Sequence, residues 1–161
     1  IDPSDIQRFK ELGVIASMQG IHTISDGPWI ATRLGLERTR LTSYPWRSLM
    51  DAGVVVTNGT DTPVEKVDPI PSFWGSVARK MSDGKVFLPE QRVTREEGLR
   101  AYTINNAYAA FEEGEKGSIT VGKLADLVVL TKNIMTIAED SIPTARVAMT
   151  ILGGKVVYER K

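Results

Sequence analysis

The sequence predicts an α/β protein, in which a segment of parallel sheet or βα barrel is followed by a small antiparallel β module. The first observation is that a short helix followed by a buried apolar strand occurs twice along the chain. The second is that the two strand ends are separated by at least the length of a βα crossover unit, which is about 30 residues. The third is that apolar and polar residues alternate near the C-terminus, as in antiparallel strands with one solvated face.

The first helix and strand open the chain. Asp2 is a suitable N-cap, Pro3 fits the first helical position, and Gly13 can end the helix. The run Val14–Met18 that follows shows no alternation, which predicts a strand buried on both faces. This strand is expected to end near His22.

The second helix and strand follow a stretch punctuated by Gly, Pro and Ser. Residues Pro45–Ala52 predict a helix, and Gly53 is placed to close it. The run Val54–Thr57 then predicts a second buried strand. It ends in the turn Asn58–Pro63, where Gly59 is expected to permit a close approach of the backbone.

The rest of the chain predicts helices and then strands. A long loop leads to a helix near residues 73–79. Thr94 and Glu97 form a T-x-x-E capping box that opens a further helix, and another helix is expected to continue through Phe111. The C-terminal module is predicted to contain strands at residues 125–130, 147–151 and 155–158, with Gly153-Gly154 as a hairpin turn.

The composition excludes several classes of protein. Twenty Lys plus Arg balance twenty Asp plus Glu among the 161 residues, so no net field attracts a polyanion, and we expect neither nucleic acid nor a membrane as partner. The absence of cysteine excludes disulfides and thiolate ligands, and one histidine cannot build a three-histidine zinc site. The first residues contain neither an initiator Met nor a signal peptide, so we expect a piece of a longer, cytoplasmic polypeptide.

Asp61 and His22 are the candidate functional residues. Each follows a predicted parallel strand at its carboxyl end, where βα-barrel enzymes place their catalytic groups. Asp61 is suited to bind a metal ion or accept a proton, and the alternative is a turn residue that caps backbone N–H groups. His22 is either a functional imidazole or a hydrogen-bonded structural residue. Because both strand ends face one mouth, the pairing favours a functional role for each.

Other sequence features carry less information. Trp29 and Trp74 come after the two strand ends, where they either line a pocket or pack their loops down. The chain contains no G-x-G-x-x-G, P-loop or G-x-S-x-G motif. The sequence therefore gives no support for a phosphate-binding loop or a serine hydrolase.

Four stretches of the chain resemble, in order and spacing, the C-terminal part of the amidohydrolase superfamily. The resemblance is to the branch that includes N-substituted formamide deformylases and many metal-dependent hydrolases. The segment KGSITVGKLADLVVL, together with the strand-end Gly59-Thr60-Asp61, is specific for the superfamily but not for a substrate. The four stretches are residues 15–29, 44–65, 93–130 and 149–160.

The resemblance implies roles for both candidate residues. Family members are (β/α)8 barrels with a small β-sandwich, and they hydrolyse carbon–nitrogen and related bonds with one or two divalent metals. Asp61 matches the aspartate that ends the eighth barrel strand, binds metal and acts as base toward the attacking water. His22 matches the histidine of a Q-P-x-H motif that ends the seventh strand, which implies contact with substrate. Here the motif reads Gln19-Gly20-Ile21-His22, and the glycine predicts a looser backbone.

The resemblance also implies a C-terminal fragment of an enzyme. Residues 1–116 would hold barrel strands seven and eight with their helices, and residues 117–161 would hold strands of the composite β-sandwich. The family's H-x-H pair and its other histidine and lysine ligands have no counterparts in this chain. The complete enzyme is expected to use a divalent metal, with zinc as the expected ion, on a non-peptide amide substrate. The isolated chain is expected to be inactive and to bind no metal.

Two alternatives to an enzyme remain open at this point: a non-catalytic scaffold and a βα module that binds a small molecule without metal. In each case a partial barrel leaves strand edges unpaired. The chain is therefore expected to form a homo-oligomer or to associate with the missing N-terminal part.

Overall fold

The N-terminal unit consists of one helix and one strand in the computed structural model, which describes residues 1–161. A 3-10 turn capped by Asp2 runs into α1 (Ile6–Glu11), and β1 (Ala16–Met18) follows. The predicted helix and strand are confirmed, but the strand is shorter than predicted. Only Ala16 in it is buried, so the strand is not buried on both faces as predicted.

Three short helices follow β1: α2 (His22–Ser25), α3 (Gly27–Leu34) and α4 (Leu36–Thr42). The sequence predicted no helix in this stretch. Pro28 lies in the first turn of α3, where its missing N–H breaks no hydrogen bond, and Gly35 separates α3 from α4 with a φ of 81°. Pro28 and Gly35, which are among the residues that punctuate this stretch, therefore mark the ends of helices.

The second unit places its strand beside the first. α5 (Trp46–Asp51) is closed by Gly53, whose φ is 78°, and β2 (Val56–Asn58) follows. All three residues of β2 are buried. The two strands pair in parallel with Ala16 opposite Val56 and Met18 opposite Asn58, so the predicted parallel arrangement is confirmed.

Three more helices cover this pair of strands: α6 (Pro69–Ala78), α7 (Arg95–Tyr102) and α8 (Ile104–Ala109). α6 begins earlier than predicted because the Asp68 side chain caps it, accepting a hydrogen bond from the Ile70 backbone N–H at 3.0 Å. The predicted capping box at the start of α7 is present. The chain contains no helix with the length and apolar character needed to span a membrane.

The C-terminal strands form a separate antiparallel sheet in the order β3 (Leu127–Leu130), β4 (Val147–Leu152) and β5 (Lys155–Glu159). The predicted hairpin turn is confirmed: Gly153 and Gly154 have φ values of 55° and 78°. A two-residue turn of this kind requires positive φ at both positions, which glycine adopts without steric cost.

The core lies between β1, β2 and the helices. It is a cluster of 13 buried apolar residues in which Trp46 and Leu49 are fully enclosed. Ile142 and Ala145, from the connection between β3 and β4, belong to the same cluster. Because β1 and β2 are parallel, their carboxyl ends lie on the same side of this core. The candidate residues His22 and Asp61 come shortly after these two strand ends in the chain.

Candidate active site

The two residues singled out from the sequence meet in the structure. His22 is the first residue of α2, shortly after β1, and Asp61 lies in the turn after β2. Because β1 and β2 run in parallel, both residues lie at the same edge of the sheet. The His22 Nε2 and Asp61 Oδ2 atoms are 3.2 Å apart. The imidazole is mostly enclosed, whereas the Asp61 side chain is 45% exposed, so the carboxylate is the group open to a ligand.

The backbone at Asp61 adopts a conformation that limits which residues fit there. Its φ is 60°, in the left-handed region where aspartate and asparagine are found more often than other non-glycine residues. Its carbonyl accepts hydrogen bonds from the backbone N–H groups of Val64 and Glu65, which closes one helical turn. Asparagine is therefore the substitution that removes the charge of Asp61 with the least disturbance of this turn.

Glu65 is a third member of the site that the sequence analysis did not identify. Its Oε1 atom lies 4.0 Å from His22 Nδ1, on the side of the imidazole opposite Asp61. The helical turn that starts at Asp61 explains this position, because residues four apart lie on the same side of a turn. The sequence signal for Glu65 is therefore its spacing, since it is an acidic residue four positions after Asp61.

Gly20 has a more definite role than the predicted looser backbone. A Cβ atom at this position would lie 2.1 Å from the Ser72 carbonyl oxygen, and one at Gly75 would lie 2.3 Å from the Gly20 carbonyl oxygen. The turn that carries His22 therefore packs directly on the backbone of α6. Thr23 Oγ1 lies within hydrogen-bond distance of both the Gly20 and Gly75 carbonyls, at 2.8 and 2.9 Å.

Gly59 does not have the role predicted for it. No atom outside its chain neighbours would lie within 4 Å of a Cβ atom there, and its φ is not positive. The close backbone approach occurs at Gly20 instead, on the other strand end. The local sequence of the turn did not show which of its neighbours would be packed against a helix.

Of the two tryptophans, only Trp74 takes the packing role that was the alternative to a pocket. Trp29 is half exposed and lies beneath the Arg33 guanidinium, with 5.8 Å from its central carbon to the ring centroid. Trp74 is partly buried and packs against the core cluster. Neither tryptophan forms a hydrogen bond with the side chain of His22 or Asp61.

The chain alone does not supply a complete metal site. No group of three His, Cys, Asp or Glu side chains in the structure is arranged to hold a metal ion. Catalytic zinc sites use three protein ligands and leave one position for water or substrate. The accessible carboxylate of Asp61 is of the chemical type that such sites use as a ligand.

Comparison with known proteins gives several relatives. The chain is 34% identical to the protein LONG AFTER FAR-RED 3 of Arabidopsis thaliana over 97% of its own length and 27% of that protein. It is 28% identical to the putative amidohydrolase YtcJ of Bacillus subtilis over 99% of its length and 31% of that protein. It is 37% identical to the N-substituted formamide deformylase of Arthrobacter pascens over 78% of its length and 23% of that protein.

Solved structures agree with these relatives. An uncharacterized metal-dependent hydrolase from Pyrococcus horikoshii matches with a TM-score of 0.72 and 28% identity, over 85% of this chain and 28% of that one. Another from Pyrococcus furiosus matches with a TM-score of 0.64 and 32% identity, over 74% of this chain and 24% of that one. The chain thus spans roughly a quarter to a third of the length of these relatives.

The family assignment rests on nearly the whole chain. The sequence profile of the Amidohydrolase family matches residues 1–158, a range that includes both strand ends and the C-terminal sheet. The resemblance that the motifs indicated is therefore confirmed. The chain belongs to the amidohydrolase family.

Proposed function

We propose that this chain forms one edge of the active site of a metal-dependent hydrolase that cleaves carbon–nitrogen bonds in non-peptide amides. The observation that carries the proposal is the 3.2 Å contact between His22 and Asp61 at the carboxyl ends of two parallel strands. A titratable pair at this edge is typical of βα-barrel enzymes. The similarity to an N-substituted formamide deformylase makes N-substituted formamides the first substrates to test.

In the proposed reaction Asp61 transfers a proton twice. Its carboxylate accepts a proton from the attacking water as the water oxygen bonds to the amide carbon. The resulting carboxylic acid then donates that proton to the nitrogen while the carbon–nitrogen bond breaks, so that a carboxylic acid and an amine are formed. The partial exposure of Asp61 supports this role, because the carboxylate can reach both water and substrate.

His22 is proposed to contact the substrate from the neighbouring strand end. Its Nε2 atom faces Asp61, and its side chain is 18% exposed. An imidazole in this position can hydrogen-bond a substrate held beside the carboxylate. We expect it to affect substrate binding more than the chemical step.

The metal ligands of the proposed enzyme are shared with residues outside this chain. Asp61 is the one ligand proposed here, because no group of three His, Cys, Asp or Glu side chains in this chain is arranged to hold a metal ion. A divalent metal, for which we propose zinc, lowers the pKa of water bound to it. The similarity to two metal-dependent hydrolases of known structure supports this choice of cofactor class.

The same proposal extends to the architecture. We propose that β1 and β2 are strands seven and eight of a (β/α)8 barrel within residues 1–116, and that residues 117–161 contribute strands to a β-sandwich. The parallel pair and the separate antiparallel sheet support this division. The partner would be the remaining part of the barrel, or a second copy of the chain.

The experiment is a hydrolysis assay on the polypeptide that the complete gene encodes. A panel of N-substituted formamides and other small amides is tested with and without a chelator, and the Asp61→Asn variant is compared with the parent. We expect chelator-sensitive turnover and a fall in kcat of more than about tenfold in the variant, which is roughly 1.4 kcal/mol in the barrier. The melting temperature should change little, because the side chain is exposed.

Asp51→Asn is the matched control for this assay. Asp51 ends α5 before β2, away from the site, and its side chain is 63% exposed, so its removal should leave turnover unchanged. Activity within about tenfold of the parent in Asp61→Asn would show that Asp61 is not the base. Absence of hydrolysis across the panel would favour the scaffold, and metal-independent binding of a small amide would favour the ligand-binding module.

A further inference from the structure

The loop that precedes His22 and the loop that carries Asp61 are separate in the chain, and one buried serine connects those loops. Ser72 of α6 is fully buried. Its Oγ atom accepts a hydrogen bond from the Ile21 backbone N–H at 3.1 Å. The same atom lies 2.8 Å from the Gly59 carbonyl oxygen and can donate its proton there. Ser72 thus touches the residue immediately before His22 and the strand end that leads to Asp61.

Asn58 makes a second connection between the same two loops. It is the last residue of β2, and only 2% of its surface is exposed. Its Oδ1 atom accepts a hydrogen bond from the Gly20 backbone N–H at 3.0 Å and lies 3.0 Å from Ser72 Oγ. Its own carbonyl accepts a hydrogen bond from Asn106 Nδ2 at 3.1 Å, which fixes the strand end to α8.

We infer that Ser72 and Asn58 form a clamp whose function is to hold His22 against Asp61. Buried polar groups are costly to leave without partners, so a network in which one serine and one asparagine bind both loops strongly favours a single geometry. The clamp rests on the proposed function, because it matters for catalysis only if His22 and Asp61 form the site. Both are positioning residues, because neither Ser72 nor Asn58 forms a hydrogen bond with the side chain of His22 or Asp61.

The test uses the fact that His22 is the single histidine of the chain. Its imidazole therefore gives one resolved set of nitrogen signals in an NMR spectrum of the uniformly ¹⁵N-labelled 161-residue protein. The change in the Nε2 chemical shift caused by Asp61→Asn, measured at one fixed pH, reports the contact between the two side chains. This change is measured in the parent, in Ser72→Ala and in Ser76→Ala.

Ser76→Ala is the matched control. Ser76 lies on the same helix, is equally buried, and its Oγ donates to the carbonyl of Phe73 within the helix. The clamp predicts that the shift change caused by Asp61→Asn falls by roughly twofold or more in Ser72→Ala and keeps its full size in Ser76→Ala. An unreduced change in Ser72→Ala, an equal reduction in both serine variants, or no change in the parent would overturn the inference.

If Ser72→Ala does not fold, Ser72→Cys replaces it under reducing conditions and is expected to give the same fall, because the larger thiol is only a weak donor and acceptor. Unfolding of both variants while Ser76→Ala folds would assign Ser72 a purely structural role and would also overturn the inference. The outcome is independent of turnover. A confirmed clamp in a protein without hydrolase activity would reject the proposed function and leave the positioning of the two side chains intact.

Discussion

At the scale of single residues, Glu97 is the carboxyl group whose pKa is shifted most strongly from its ordinary value. Its carboxylate accepts hydrogen bonds from the Arg47 guanidinium and, at 2.7 Å, from the Thr94 backbone N–H. The Arg47 hydrogen bond is the main cause that lowers the pKa of Glu97 to about 2, and the Thr94 bonds add to it. Because Arg47 belongs to α5 and Glu97 to α7, this pair also joins two helices.

This pair predicts an acid-dependent loss of stability. A carboxyl whose pKa is lowered on folding stabilises the protein above its ordinary pKa of 4.5, and this contribution disappears as the pH falls toward about 2. Glu97→Gln should lower stability at neutral pH by about 1 kcal/mol and flatten the dependence on pH between those values. Melting temperatures measured across this pH range test it. The exposed neighbour Glu96 is the control, and an equal effect of Glu96→Gln would argue against the pair.

His22→Ala provides a second prediction at this scale. In the complete enzyme the substitution should raise KM more than it lowers kcat, since the proposed role of His22 is contact with substrate. Steady-state kinetics and metal analysis of the same sample test it. Loss of the bound metal in His22→Ala would show that the imidazole is a ligand and that the proposed role is wrong.

The sequence was informative about the residues that end strands and uninformative about those that hold them in place. Asp61 and His22 could be identified because a strand followed by a polar residue is visible along the chain. Ser72 could not, because its importance depends on a hydrogen bond to Ile21, 51 positions away. Glu65 could have been identified only once the short turn that begins at Asp61 was recognised, because that turn sets its position beside His22.

At the scale of elements, the packing of α6 on the turn before His22 depends on two glycines. A Cβ atom at Gly75 would lie 2.3 Å from the carbonyl oxygen of Gly20, and backbone atoms cannot move aside as a flexible side chain can. Gly75→Ala should therefore destabilise the protein by about 1–3 kcal/mol. Chemical denaturation tests this, with Gly114→Ala as control because a Cβ atom there meets open space. Equal stability of both variants would contradict the close contact.

The sequence predicted the type and order of most elements, and it was least accurate at short helices. α1, α5, α7 and the hairpin of β4 and β5 carry local signals, namely caps, closing glycines and a glycine pair. α2, α3 and α4 have four to eight residues each, too few for apolar periodicity to separate them from loops. Pro28 in the first turn of α3 and Gly35 between α3 and α4 mark helix ends, but neither residue by itself distinguishes a helix end from a loop.

At the scale of the whole molecule, large apolar side chains remain exposed. Val121, Phe111 and Ile119 are each more than nine-tenths exposed, and every residue of β5 is exposed. A cavity of about 840 Å³ with a mainly apolar lining lies between α7, α8 and the segment from Glu112 to Ile134. Soluble monomers rarely leave large contiguous patches of apolar surface uncovered, so side chains of this kind are candidates for an interface.

We therefore expect the isolated chain to associate. Size-exclusion chromatography with light scattering should show species larger than 17.7 kDa, and a hydrophobic dye should bind. The double variant Phe111→Ser and Val121→Ser should reduce dye binding without lowering the melting temperature, because these side chains make few contacts in the folded chain. A monodisperse monomer that binds no dye would reject the expected association.

The proposal that Asp61 is one ligand of a site completed by residues outside this chain is tested most directly by calorimetric titration with Zn²⁺. The titration is performed on the 161-residue chain, on the complete polypeptide and on the complete polypeptide carrying Asp61→Asn. We expect saturable binding in the complete polypeptide, weaker binding in the variant, and none in the isolated chain, since no three of its His, Asp or Glu side chains are arranged to hold a metal ion. Saturable one-to-one binding by the isolated chain, or binding that Asp61→Asn leaves unchanged, would contradict the proposal.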